Sequence, residues 1–242
     1  MRKKCERPLV PDSHLPLILL GGVMASYGLL TALAGSWISN QAMRGFITTA
    51  VYRSRLESLG RITGLAAGIV FGVLFILCAV HASGISRVAF AIGTLASGGP
   101  LLTGYAERLL FNVIGLPTMN AGSVLADAAV VLCWALPMTI LFALLACGRC
   151  VPRGCRWLSL VSVPVVLATA LFPIYVTVLA FLLKPGDPTV GRMMEVGSQV
   201  SKLRFILPGV SLLIQAFISQ GCAKQQAEGS GEAHAVEKGD EK

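Results

Sequence analysis

The sequence predicts an all-α fold, a polytopic transmembrane helix bundle of five to six spans, on three observations. Five runs of about nineteen residues or more lack any Asp, Glu, Lys or Arg: 13–43, 62–86, 88–106, 128–148 and 157–183. A helix of about twenty apolar residues matches the ~30 Å hydrocarbon core of a bilayer. A sixth run, 205–223, carries Pro208 and Gln215 and is marginal. Second, 55% of the 242 residues are apolar and 13% are charged, with a mean hydropathy of +0.74. A soluble domain carries roughly 25% charged residues, so this chain has too little polar surface to solvate a globule of its size. Third, Lys and Arg sit in the gaps between runs, where they anchor helix ends and meet anionic headgroups. That placement explains the net charge of +8 without nucleic acid, and no nucleic-acid-binding signature accompanies it.

Residues 1–14 form a basic head, and span one covers about 15–37, with Pro16 in its first turn and Trp37 at the far interface. A signal peptide is the alternative; an uncleaved first span fits the longer run better. Segment 40–61 mixes Arg44, Arg53, Arg55 and Arg61 with apolar residues at three- and four-residue steps. It reads as an amphipathic surface helix or as a polar loop. Span two, about 62–83, carries Gly64, Gly68 and Gly72 on one face. Glycine steps of four let a neighbouring helix approach closely, so they predict a packing face and no chemistry.

Span three, about 87–115, is interrupted by Gly98, Gly99 and Pro100. A proline in mid-membrane removes a helical hydrogen bond. The break is either a structural kink or an unwound binding segment of the transporter kind. Span four, about 124–147, starts near Asp127, whose carboxylate complements a helix N-terminus. Span five covers about 157–183. Residues 205–219 are a sixth candidate, a span or a re-entrant piece. Segment 184–204 is polar enough for an interface, and the Gly/Glu/Lys-rich residues 220–242 predict a disordered tail. Six spans with the N-terminus in the cytoplasm put eleven Lys/Arg on the inner side and nine on the outer, a basic-inside balance.

Cys147, Cys150 and Cys155 form the most site-like cluster, beside Arg149, Arg153 and Arg156. Such a group can ligate zinc or cycle as a dithiol. A structural zinc site takes four ligands, and no fourth Cys or His is close in sequence. Cys78 and Cys133 show that this chain also places cysteine in plain apolar segments. His14, His81 and His234 stand far apart, and no nucleotide-binding loop or hydrolase motif occurs. No catalytic residue, metal set or cofactor is expected.

The order of parts resembles the Yip1 domain family of small membrane proteins. The carriers are Leu15-Pro-Leu-Ile-Leu-Leu in the first span and Ser58-Leu-Gly-Arg-Ile-Thr-Gly64 leading into the second. Further carriers are Gly99-Pro100-Leu-Leu-Thr-Gly104, Leu109-Leu-Phe-Asn-Val-Ile-Gly-Leu-Pro117, and Trp134 in the fourth span. The chain departs from the pattern in its Cys-rich fourth gap and its extra segment 184–219. The resemblance covers about residues 15–183. It implies a non-enzymatic membrane organiser or partner-binding subunit, and no functional residues transfer. The expected surroundings are a lipid bilayer, with other membrane proteins or further copies of the chain as partners. The location is a multi-pass membrane protein, in the cytoplasmic membrane if the source is bacterial. A transporter or channel component using Gly98–Pro100 and a membrane thiol enzyme are the competing readings.

Overall fold

Helix is the only way for an isolated lipid-facing segment to satisfy its own backbone, and every regular element described is helical. The structure, a computed structural model, describes residues 7–102, 131–182 and 188–239. Helix α1 spans Leu15–Met43, α2 Thr49–His81, and α3 Ile85–Gly93. A 3-10 turn, Thr94–Ser97, joins α3 to the short α4, Gly98–Leu102. A π-helical turn, Val131–Ala135, runs straight into α5, Leu136–Cys147, followed by α6, Arg153–Leu182, and α7, Pro188–Gly239. Four helices are long and apolar enough to cross a membrane, as an integral membrane protein requires: Leu15–Ile38, Ser58–His81, Arg153–Val176 and Leu203–Gln225. Cys133–Cys147 is a shorter apolar helix.

The elements pack as a ring of antiparallel neighbours. α1 lies against α2, α2 against α3 and α4, α3 against α5, α5 against α6, α6 against α7, and α7 returns to α1. The turns fit this course. Gly45, at φ +73°, reverses the chain after α1, and the Thr48 hydroxyl caps α2 by accepting from the Val51 amide. Gly84, at φ +56°, makes the sharp turn before α3, and Arg87 ties it by donating from Nε to the Ala82 carbonyl at 3.0 Å. The residues preceding α1, the 82–84 turn, the 148–152 turn and the Ser219 turn of α7 share one end of the bundle. There the Arg7 amide donates to the Cys150 carbonyl at 2.7 Å and the Leu9 amide to Ser219 Oγ at 2.8 Å.

The outward faces are oily. On α2, Ile62, Leu65, Ile69, Val73, Ile76 and Val80 are exposed while Phe71, Phe75 and Cys78 are fully buried. Water would not tolerate so long an apolar stripe; lipid does.

Two expectations from sequence change, and one open choice is decided. Segment 40–61 holds no separate surface helix, because α1 continues to Met43 and α2 starts at Thr49. The marginal run at 205–219 belongs to one long helix with Pro208 inside it, and its apolar window spans Leu203–Gln225. That same helix runs on to Gly239, where composition suggests a disordered tail. The Leu109–Pro117 stretch, Asp127 and the rest of 103–130 lie outside the described residues.

The ring closes where α1 meets α7. A Cβ added at Gly209 would stand 2.5 Å from the Ala25 amide nitrogen and 2.8 Å from the Gly21 carbonyl oxygen. One added at Gly21 would stand 2.6 Å from the Leu213 nitrogen, and one at Gly28 would stand 2.9 Å from the Ile206 nitrogen. Gly22, next to Gly21, has nothing within 4 Å of that position. Gly21→Ala is therefore expected to destabilise the protein by about 1–3 kcal/mol through overpacking. Gly22→Ala is expected to be neutral or slightly stabilising, since alanine is the better helix former by about 1 kcal/mol. Unfolding midpoints of both variants in mixed micelles check the pair.

Candidate functional site: the polar seam and the aromatic centre

A hydroxyl inside a membrane needs a partner, because no water is there to supply one. The interface of α6 and α7 collects such groups. Ser159 and Ser162 on α6 face Ser211, Gln215 and Ser219 on α7, and all five are buried. Ser159 Oγ donates to Gln215 Oε1 at 3.2 Å, and Gln215 Nε2 donates to Ser211 Oγ at 3.2 Å. Ser211 and Ser162 hydroxyls lie 2.7 Å apart, and Ser162 donates to the Leu158 carbonyl at 2.7 Å. Ser162 has one proton and gives it to Leu158, so Ser211 is the donor between the two hydroxyls. The result is a chain of hydrogen bonds running one way, from Ser159 across to α7 and back to α6. Each link polarises the next. One turn further along, the Cys155 thiol donates to the Gln215 carbonyl at 3.5 Å.

Midway down the ring sits an aromatic centre. Tyr27 of α1, Phe71 of α2, Trp134 of the π turn and Phe205 of α7 touch in sequence around a closed circuit. Ring centroids are 5.6 Å apart for Tyr27–Phe71, 6.3 Å for Phe71–Trp134, 4.4 Å for Trp134–Phe205 and 5.0 Å for Phe205–Tyr27. Nearby on α2, the Thr63 hydroxyl donates to the Leu59 carbonyl at 2.6 Å. Trp134 is wholly buried, and its Nε1 has no hydrogen-bond partner among the described residues.

Gly98, Gly99 and Pro100, where the sequence predicts a helix break, lie inside α4, and the irregular backbone is the 3-10 turn Thr94–Ser97 just before them; this segment adjoins the aromatic centre. Gly99 and Pro100 are buried. A Cβ at Gly99 would stand 2.6 Å from Trp134 Cβ, and one at Gly98 would stand 3.6 Å from Cys133 Cβ. The 3-10 turn and the π turn thus face each other directly. Of the glycine stripe, Gly68 is the tight position: its Cβ would collide with Leu101 Cγ and stand 3.0 Å from the Ser97 carbonyl oxygen. Gly72 meets Ser97 Oγ only at ordinary contact, 3.5 Å, and Gly64 is buried.

The thiol cluster is divided by its surroundings. Cys147 and Cys150 are exposed, whereas Cys155 is buried in the α6–α7 seam. Among the described residues no group of three or more His, Cys, Asp or Glu is placed to hold a metal ion. At the same end of the bundle, burial holds the His14 imidazole below its usual pKa, which keeps it neutral at pH 7.

Reading the sequence residue by residue missed the polar seam. Its signal is the four-residue step of Ser211, Gln215 and Ser219 against Ser159 and Ser162, which puts each set on one helix face. Gln215→Leu is expected to cost about 1 kcal/mol, and a double-mutant cycle with Ser159→Ala should return a coupling of about 0.6 kcal/mol, the usual range for hydrogen bonds between membrane helices. Reversible unfolding in mixed micelles gives both values. Comparison with protein-family models, with curated proteins and with solved structures finds no match to this chain.

Proposed function

We propose that this protein is a non-enzymatic, six-crossing membrane organiser that works through helix packing and lateral contacts with partner proteins or further copies of itself. The observation that carries the reading is the filled centre of the ring. Trp134, Phe71, Tyr27 and Phe205 interlock there, and in the α6–α7 seam Ser159, Gln215 and Ser211 spend their hydrogen bonds on one another. Such an interior suits a rigid unit that presents its outside. The Yip1-like order of spans in the sequence supports the same role. The end that holds Arg7, Arg149, Arg153 and Arg156 faces the cytoplasm in this reading, by the excess of basic residues in its short segments.

A second reading has one observation in its favour. The 3-10 turn Thr94–Ser97 and the π turn Val131–Ala135 are irregular backbone at the same depth, packed against each other. Paired interrupted helices are how transporters build a site near the midplane.

One set of variants separates the readings. The organiser predicts that replacing Cys133, Cys147, Cys150 and Cys155 by Ser or Ala leaves oligomeric state and co-purifying partners in mild detergent unchanged. Gly68→Leu, which drives a side chain into Leu101, should abolish them while the protein still inserts. Normal assembly of a Gly68→Leu variant overturns the organiser. Substrate flux in proteoliposomes that Gly99→Ala alters moves the conclusion to transport.

A further inference from the structure

The gap between α5 and α6 carries three arginines and no carboxylate across residues 147–157. It is more than a charged loop. A cavity of about 340 Å³ opens there, lined by Ala146 at the end of α5 and by Arg153, Arg156, Trp157 and Leu160 on α6. The four α6 residues follow the i, i+3, i+4, i+7 spacing of one helix face. They form a graded strip: two guanidiniums at the helix start, then an indole that is 69% exposed, then Leu160 at 54%. Val161 beside it is exposed as well. The guanidiniums lie at the positive end of a 30-residue helix. Arg156 Nε is shielded by the protein yet has no hydrogen-bond partner among the described residues. A buried donor left without an acceptor is costly; the rest of the Arg156 guanidinium side chain lines the cavity.

We infer that this cavity binds the phosphate headgroup of an anionic phospholipid, with one acyl chain lying along Trp157, Leu160 and Val161. The two halves of the strip decide the class of ligand. Guanidiniums match phosphate oxygens in charge and in fork geometry. An interfacial Trp followed by exposed aliphatic side chains matches the glycerol and acyl region of a lipid, and a free anion has no use for it. The site rests on the membrane placement of α6 alone and not on the organiser reading, so either stands without the other.

The test is a titration of the purified full chain, in an uncharged detergent, with phosphatidylglycerol, phosphatidylcholine or inorganic phosphate, read by native mass spectrometry. Phosphatidylglycerol is expected to be retained over phosphatidylcholine, and inorganic phosphate is expected not to displace it. Arg153→Gln/Arg156→Gln should weaken phosphatidylglycerol retention about thirtyfold, from the contribution of two arginines near a lipid surface. Arg44→Gln/Arg55→Gln removes the same charge from the opposite end of the bundle, where both residues are exposed, and should leave retention as it is. If the first pair fails to purify folded, Arg156→Gln alone carries the comparison, with an expected loss of about fivefold. Equal loss in the two double variants, no loss in the Arg153/Arg156 variants, or displacement by inorganic phosphate overturns the assignment.

Discussion

Close approach of α1 and α7 is the contact on which the rest of the ring depends. Lipid tails are as apolar as leucine, so no hydrophobic force presses one membrane helix against another. What holds two helices is dispersion between atoms near their optimal separation, and that requires backbones to come near. Gly21, Ala25 and Gly28 on α1 supply the groove, and Gly209 on α7 supplies the matching bare backbone. The first and last helices close the ring only there. Other contacts need the closure to exist at all: Leu9 reaches Ser219, and Tyr27 reaches Phe205, only when α7 lies on α1.

The helical class and the long apolar helices were legible because lipid imposes a coarse rule. A segment that crosses must be about twenty residues long and nearly free of charge, and the runs ending at Met43, Ser86 and Leu183 obey it openly. Segment 40–61 was misread for a related reason. Arg53, Arg55 and Arg61 break the hydropathy of α2 without breaking its helix, since its first turns extend past the apolar stretch that begins near Ser58. Glycine spacing showed that α2 has a packing face, and Gly68 uses it. It gave no warning that α1 and α7 meet more closely, because a groove of small residues means little until its partner is known. The Cys-x-x-Cys spacing suggested a site, but α6 turns Cys155 inward while Cys147 and Cys150 stay outside.

The interrupted third and fourth spans answer one another. Gly98-Gly99-Pro100 cannot continue a regular helix without loss, since the proline has no amide hydrogen to give. The chain tightens into a 3-10 turn just before it, and the facing helical segment of the ring loosens into a π turn at Val131–Ala135. Trp134 occupies the space this creates, with its Cβ against the bare backbone of Gly99. A side chain at position 99 has no room. The break and the indole are therefore parts of one packing solution, and the Trp134 indole N–H, which has no hydrogen-bond partner among the described residues, is the polar remainder of it.

Helix α7 shows why hydropathy alone judged its span marginal. Its polar residues are not scattered but sorted by face. Ser211 and Gln215 point at α6, where hydrogen bonds absorb them, and Ser219 accepts from the Leu9 amide. Gly209 points at α1, where it permits contact. Leu203, Leu207, Val210, Ile214 and Phe217 are exposed on the remaining face. Averaging over a window adds the inward polar residues to the outward apolar ones and sees a compromise. The bilayer meets only the outward face, which is as apolar as that of any other span. Pro208 fits the same arrangement: it is buried beside Gly209, so the backbone it frees is covered by protein and not by lipid. Polarity that faces a neighbouring helix counts toward association, and only polarity that faces lipid counts against insertion.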